Sequence, residues 1–315
     1  MSITVETKSP QDCGADVLAI LLADLGDKPK LPGRLGALDS ATGGRLREVI
    51  DAGDFRGKSG QTQLVHGGPE LAAKRVLLIG LGEEKKLDAT TLRNAAGTAL
   101  RTARRCKAAT LAVAIPSTRR VRGAAAAQAL AEGVVLGDYR FDRYQTKDSD
   151  PAEEIATSLL VDKGGDARSA RTGVRTGVVL ADSQNLARDL SNEPPNVLNP
   201  VALAKAATAM AKEVGLTIKV VEPKELEKLG MGAMLAVGQG SVNPPRLIVM
   251  EHNAPPKRKK GAKKGRARKT ICLVGKGVCF DSGGLSLNPS ASRTKMKHDM
   301  SGGATVVGAM RAAAL

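Results

Sequence analysis

A chain of 315 residues with 2% aromatic residues, no tryptophan and a formal net charge of +16 is long enough for two packed cores, which Ala, Val, Leu and Ile must fill. That composition excludes an aromatic-rich β barrel, and no window reaches the roughly 18 apolar residues that a membrane-spanning helix needs. The charge suggests a polyanion partner, but nine of the Lys and Arg residues fall in KRKKGAKKGRARK (257–269), so the excess is local.

The amino terminus, MSITVETKSPQDCG, has no basic start followed by an apolar core, so no secretory leader is expected and the cytoplasm is the expected compartment. Cys13, Cys106, Cys272 and Cys279 form no CxxC pair. They read as small apolar fillers in a reducing environment. VLAILLADLG (17–26) and KRVLLIGLG (74–82) are short apolar runs closed by glycine, as buried strands are. From Asp88 to Cys106 the apolar residues recur at three- and four-residue steps, predicting a helix. TLAVAIP (110–116) predicts a strand and AAAAQALAEGVVLGDY (124–139) a helix, and this alternation implies a mainly parallel sheet covered by helices. GLGEEK after the second strand invites a dinucleotide reading. The third glycine position holds Lys85, however, and Glu83 and Glu84 would repel phosphate, so a plain turn is expected.

A polar stretch at 142–154 precedes IATSLLVD, a further apolar run, and a long helix is predicted over 167–190. NEPPNVLNP (192–200) then breaks the helix with three prolines. The expected division is an N-terminal α/β domain over 1–166, a connecting helix over 167–190, and a second domain over 191–315. In that second domain the spacing predicts a helix at 201–215, a strand at TIKVVE, a helix at PKELEKLG, and strands at RLIVMEHN (246–253) and TICLVGKGV (270–278). The basic run between those last two strands reads as a solvated loop, with a nuclear-import signal or a nucleic-acid patch as the alternatives.

GKGVCFDSGGLSLNPSASRTKMKHDMSGG (275–303) carries the chemistry. Carboxylates just past strand ends in an α/β sheet face the crevice where such folds bind ligands. A straight strand from Lys276 to Asp281 would span about 16 Å and point the two side chains to opposite faces. Glycines at 275, 277, 283 and 284 allow a bend that lets Lys276, Asp281 and Asp299 converge on divalent cations. Lysine would then have to act as a neutral amine. The alternative is purely structural: Asp281 caps its own turn, Lys276 lies on the surface, and Asp299 caps a helix starting near Met300.

GKGVCFDSGGLSLNP followed by MKHDMSGGATVVGAM resembles the metal-binding core of the leucyl aminopeptidases, peptidase family M17. NLARDLSNEPPNVLNP and GMGAMLAVGQGSVNPPRLIVMEH are similar to that family's entry and glycine-rich segments. The resemblance implies a small macro-like N-terminal α/β domain followed by the first part of a mixed-sheet, zinc-exopeptidase-like α/β catalytic domain. It also implies an exopeptidase that removes N-terminal residues, leucine among those preferred, using two Mn2+ or Zn2+ ions in a cytoplasmic homohexamer. Lys276, Asp281 and Asp299 match three of the family's metal ligands. Asn288 stands where the family has a catalytic lysine, and losing that charge would cost about 3–4 kcal/mol of transition-state stabilisation. Arg293 replaces a usual methionine. The family's remaining Asp and Glu ligands and an arginine belong to an NTDAEGR segment expected beyond Leu315. The chain thus reads as a truncated aminopeptidase, with a catalytically inactive or polyanion-binding scaffold using the 257–269 loop as the alternative.

Overall fold

The computed structural model describes residues 2–146, 153–252 and 269–315. Apart from Lys269, the basic run at 257–269 lies outside these residues, as does part of the polar stretch at 142–154. The chain divides into two compact units, Met1–Asp182 and Ser183–Leu315.

In the first unit the elements in order are β1 (Ile3–Thr7), β2 (Val17–Ala23), α1 (Gly36–Ala41), α2 (Arg45–Asp51), β3 (Thr62–His66), β4 (Arg75–Gly82), α3 (Ala89–Arg105), β5 (Thr110–Ala114), α4 (Gly123–Asp138) and β6 (Ala156–Val161). Helix α5 (Ala167–Asn192) follows and runs past the boundary into the second unit. The sheet order is β1-β6-β5-β2-β4-β3. All its pairings are parallel except β3 against β4, which makes the sheet mixed. Strand β2 is buried from Val17 through Leu22, because both faces of the sheet are covered. Val17, Ala19 and Leu21 pack into one cluster with α3, α4 and Val174 of α5. Leu18, Ile20 and Leu22 pack into the other with Leu38, Leu46, Ile50 and Phe55. The side-chain period of two thus divides one apolar run between two cores.

With so few aromatic residues, the helices gain contact by approaching closely. A Cβ on Gly133 of α4 would lie 2.0 Å from the Arg93 carbonyl oxygen of α3, and one on Gly137 would lie 2.8 Å from Gly97 Cα. Helix α5 meets α4 in the same way, since a Cβ on Gly173 would lie 2.1 Å from the Ala124 oxygen. Backbone fills the spaces that side chains would otherwise occupy. The GLG of β4 has a similar explanation. A Cβ on Gly80 would meet the Lys58 oxygen at 2.0 Å, and the Gly80 and Gly82 amides already donate to Gln61 and Gly57. With those amides engaged and Glu83 paired to Lys85 and Lys86, this is a packed turn and not a phosphate cradle.

The second unit contains the end of α5, then α6 (Pro200–Val214), β7 (Thr217–Val221), α7 (Pro223–Lys228), α8 (Gly232–Gly238), β8 (Leu247–Glu251), α9 (Ser290–Arg293) and α10 (Ser301–Ala314). Asn199 caps α6 by accepting from the Val201 and Ala202 amides, and Gly215 ends it in the left-handed region. Leu190, Leu203, Ala207, Met210, Met300, Ala304 and Val307 form the core where α5, α6 and α10 meet. A Cβ on Gly308 would lie 2.5 Å from the Ser183 oxygen, so α10 also lies tight against α5.

One predicted element is absent. TICLVGKGV is not a strand: β7 and β8 form a two-stranded antiparallel sheet among the described residues, and nothing there pairs with 270–278. Ile271 is 86% and Val274 90% exposed. An apolar run becomes a strand only when a neighbour completes its hydrogen bonds. The expectation for the cysteines also needs correcting. All four are free and Cys13 is buried, but Cys272 in this unpaired segment is exposed and fills nothing.

Two predictions follow from the first unit. Gly133→Val forces α3 and α4 apart, so the urea midpoint of this unit should fall by the equivalent of about 1–3 kcal/mol. The second concerns Asp16, which bridges three strands at their starts. It accepts from the Ala109 and Thr110 amides at 2.8 and 3.0 Å and pairs with Lys74 at 2.6 Å. The Lys74 contact first, then the amides, lower its pKa to about 2 from the usual 3.8. A lowered folded pKa gives stability that is complete above about pH 4 and is lost as pH falls through about 2. Asp16→Asn should therefore destabilise the protein by about 1 kcal/mol at neutral pH, allowing for solvent screening, and should flatten the acid limb in urea titrations below pH 4.

Candidate metal centre

The segment 275–277 lies against the first turn of α10. A Cβ on Gly275 would sit 2.3 Å from the Gly302 oxygen and 2.8 Å from the Gly303 nitrogen. On the other side of the contact, Gly302 and Gly303 come within 3.0 and 3.1 Å of Lys276 backbone atoms by the same measure. The Gly303 amide donates to the Lys276 carbonyl at 2.7 Å. Glycine on both surfaces is what lets the two backbones touch. The expected role for these glycines was sharp bending. Gly283, with φ of 91°, and Gly284, in the bend that follows, fit it, whereas Gly275 and Gly277 lie in no bend or turn.

This contact brings Lys276 Nζ to 2.9 Å from Asp299 Oδ1, with the carboxylate side chain 18% and the lysine side chain 57% exposed. The hydrogen bond to Asp299 raises the Lys276 pKa above its usual value against a smaller opposing effect of burial, and the charges of Asp299 and Asp281 act in the same direction. Asp299 Oδ2 is buried and has no hydrogen-bond partner among the described residues. A buried carboxylate oxygen without a donor is costly in an ordinary interior and is the type of lone pair that a cation takes. Asp299 does not cap α10, whose N-cap is Met300 without a side-chain bond.

Asp281 is part-buried in the next loop. Its Oδ1 accepts from the Gly283 amide at 2.7 Å, the self-capping turn considered above, while its charge still reaches Lys276. Asn288 Nδ2 donates to the Asp281 carbonyl at 3.1 Å, and Arg293 Nε donates to the Asn288 carbonyl at 2.8 Å. Both residues that depart from the motif therefore hold the loop that carries Asp281. Burial pushes the Cys279 thiol up to about 11, which leaves it a poor nucleophile and a poor metal ligand at neutral pH. Among the described residues no three His, Cys, Asp or Glu side chains are grouped to hold an ion. The arrangement consists of one amine and two carboxylates.

The structure adds residues that sequence patterns did not single out. His298 Nδ1 lies 2.7 Å from the Ser191 carbonyl, Ser191 Oγ lies 2.7 Å from Ser301 Oγ, and Lys297 Nζ donates to the Asn192 carbonyl at 2.9 Å. These partners are more than a hundred positions apart in sequence, and no local signal marks them.

Gly275→Ala places a methyl group inside the Gly302 carbonyl contact. It should cost the second unit about 1–3 kcal/mol and raise the amide exchange rate of Gly303, whereas Gly284→Ala, in open space, should do neither.

The profile described as the cytosol aminopeptidase family, N-terminal domain, matches residues 19–148, and that of the same family's catalytic domain matches 185–315. The cytosol aminopeptidase of Pseudomonas aeruginosa is 41% identical over 298 residues, an alignment covering 93% of this chain and 58% of the relative. Among solved structures, a mutant of tomato leucine aminopeptidase superposes with a TM-score of 0.81 at 29% identity, covering 100% of this chain and 59% of the other. Bottromycin maturation enzyme BotP, solved in complex with Mn, superposes with a TM-score of 0.71 at 32% identity, covering 95% of this chain and 56% of the other. The chain spans somewhat under two thirds of the length of these relatives. It comprises the family's N-terminal domain and part of its catalytic domain, and it belongs to the cytosol aminopeptidase family, M17.

Proposed function

We propose that this sequence forms part of a metal-dependent aminopeptidase that releases N-terminal residues, leucine-type among them, from peptides in the cytoplasm, and that the complete protein works as a homohexamer. The observation that carries this reading is the buried Asp299 Oδ2, unpartnered among the described residues, beside an amine 2.9 Å from the same carboxylate. Together with Asp281, this donor set suits a hard or borderline divalent ion such as Mn2+ or Zn2+, and a relative has been solved with Mn. Bound there, such ions would anchor a peptide's free amine, polarise its scissile carbonyl and make water a nucleophile at neutral pH.

The chain's own residues have separable tasks in this scheme. Lys276 must give up the proton that its contact with Asp299 now favours and turn its lone pair toward the ion. Asp299 offers Oδ2 without losing an existing hydrogen bond. Asp281 must offer the oxygen that the Gly283 amide does not hold. Asn288, tied to the Asp281 carbonyl, brings no positive charge to the substrate and acts by shaping the loop.

The test is hydrolysis of leucine p-nitroanilide with Mn2+ by this sequence joined to its natural downstream residues. Turnover that is abolished by chelation and lowered at least a hundredfold by Asp299→Asn is expected. An extended protein without metal-dependent turnover would refute the proposal. The 315-residue chain alone should show little or none, because three ligands do not close a two-ion site.

A further inference from the structure

We propose that Ser191, His298 and Ser301 form a clasp that positions Asp299 for the metal, a role resting on the metal-centre reading above. Helix α5 ends at Asn192, and the last carbonyls of a helix have no partner within it. Two of them are capped by consecutive side chains that lead into Asp299. Lys297 Nζ donates to Asn192 O at 2.9 Å, and His298 Nδ1 lies 2.7 Å from Ser191 O. A carbonyl oxygen can only accept, so Nδ1 carries the proton. Both groups are donors at the negative end of the helix dipole.

The hydroxyl groups extend the connection. Ser301 Oγ donates to the His298 carbonyl at 2.6 Å, which uses its proton. Its 2.7 Å contact with Ser191 Oγ must then be donated by Ser191. The result is a closed circuit, with the His298 ring bonded to the Ser191 backbone, the Ser191 hydroxyl to Ser301, and Ser301 back to the His298 carbonyl. Asp299 lies between the two residues that this circuit fixes. Its own amide donates to Met296 O at 3.2 Å, closing the turn that presents Lys297 and His298. On the far side, Gly303 is held by Lys276 O. The turn that carries Asp299 is therefore anchored from α5 on one side and from the 275–277 segment on the other. Neither anchor uses Oδ2, which remains open to an ion.

His298 is a positioning residue in this scheme, and groups that orient a ligand typically change metal affinity ten- to a hundredfold when removed. The experiment uses the 315-residue chain with Mn2+ alone as the probe, read as loss of the free-ion electron paramagnetic resonance signal, with Gly303 amide exchange measured without metal. His298→Ala should weaken Mn2+ binding about tenfold or more and speed Gly303 exchange by a similar factor. His298→Asn can still donate to Ser191 O and should stay within about threefold of the unsubstituted chain in both. Ser191→Ala, which keeps the backbone carbonyl but opens the circuit, should fall between them. His298→Ala with unchanged Mn2+ affinity and unchanged exchange would overturn the clasp. Asp299→Asn separates the two claims. If it leaves Mn2+ affinity unchanged, or if the unsubstituted chain takes up no Mn2+, the metal reading fails, and Gly303 exchange alone then decides whether the clasp exists.

Discussion

The second unit depends on one close backbone contact, that of Gly275 and Lys276 on Gly302 and Gly303. Without side chains on either surface, the loop lies on the helix start at hydrogen-bond distance, with Gly303 N to Lys276 O at 2.7 Å. That contact, more than any attraction between the charged groups, sets where Lys276 and Asp299 meet. An exposed ion pair contributes at most about 1 kcal/mol, too little to hold two segments together against chain entropy. The order of cause therefore runs from glycine to backbone approach to ion pair, and it leaves one buried carboxylate oxygen without a donor.

The same device recurs through the chain and explains its composition. Gly80 against Lys58, Gly133 against Arg93, Gly173 against Ala124 and Gly308 against Ser183 all place backbone where a side chain would otherwise stand. A chain with 35 glycines and 2% aromatic residues reaches interior density by bringing elements close together instead of by filling the gaps between them. Such contacts tolerate little substitution, since one methyl group at about 2 Å displaces a whole helix. The Asp299 turn has this rigidity on its 275–277 side and the polar circuit from α5 on the other. Two unlike kinds of restraint thus fix the turn that carries one carboxylate.

Many of the elements read correctly from sequence had two-sided burial or a clear helical period, although the half-exposed strands β7 and β8 were also read, from TIKVVE and RLIVMEHN. Strand β2, the helix over Ala89–Arg105, and α6 between Asn199 and Gly215 carry their own signals in apolar spacing and caps. Edge strands β1 and β3 went unrecognised because ITVET and TQLVH are half-exposed and mix polar with apolar residues. The segment 270–278 misled in the opposite sense, since its apolar run states a preference for β structure that only a pairing neighbour can satisfy. At the site, residue types and spacing left Lys276, Asp281 and Asp299 open between metal ligands and a structural turn in which Asp281 caps itself, and the family resemblance favoured the ligands. The self-capping turn is present, and the position of Asn288 on the Asp281 carbonyl was not foreseen. The Ser191–His298–Ser301 circuit was invisible because it joins residues 107 and 110 positions apart, and hydroxyl and imidazole groups on a surface have no periodicity to read.

The most direct test is anomalous diffraction at the manganese edge from crystals of this chain soaked in Mn2+. The account predicts a peak bonded to Asp299 Oδ2, with the Lys276 amine turned toward the same ion and the backbone contact between Gly275 and Gly302 unchanged. A density map with Asp299 Oδ2 bare and manganese bound elsewhere, or nowhere, would contradict it.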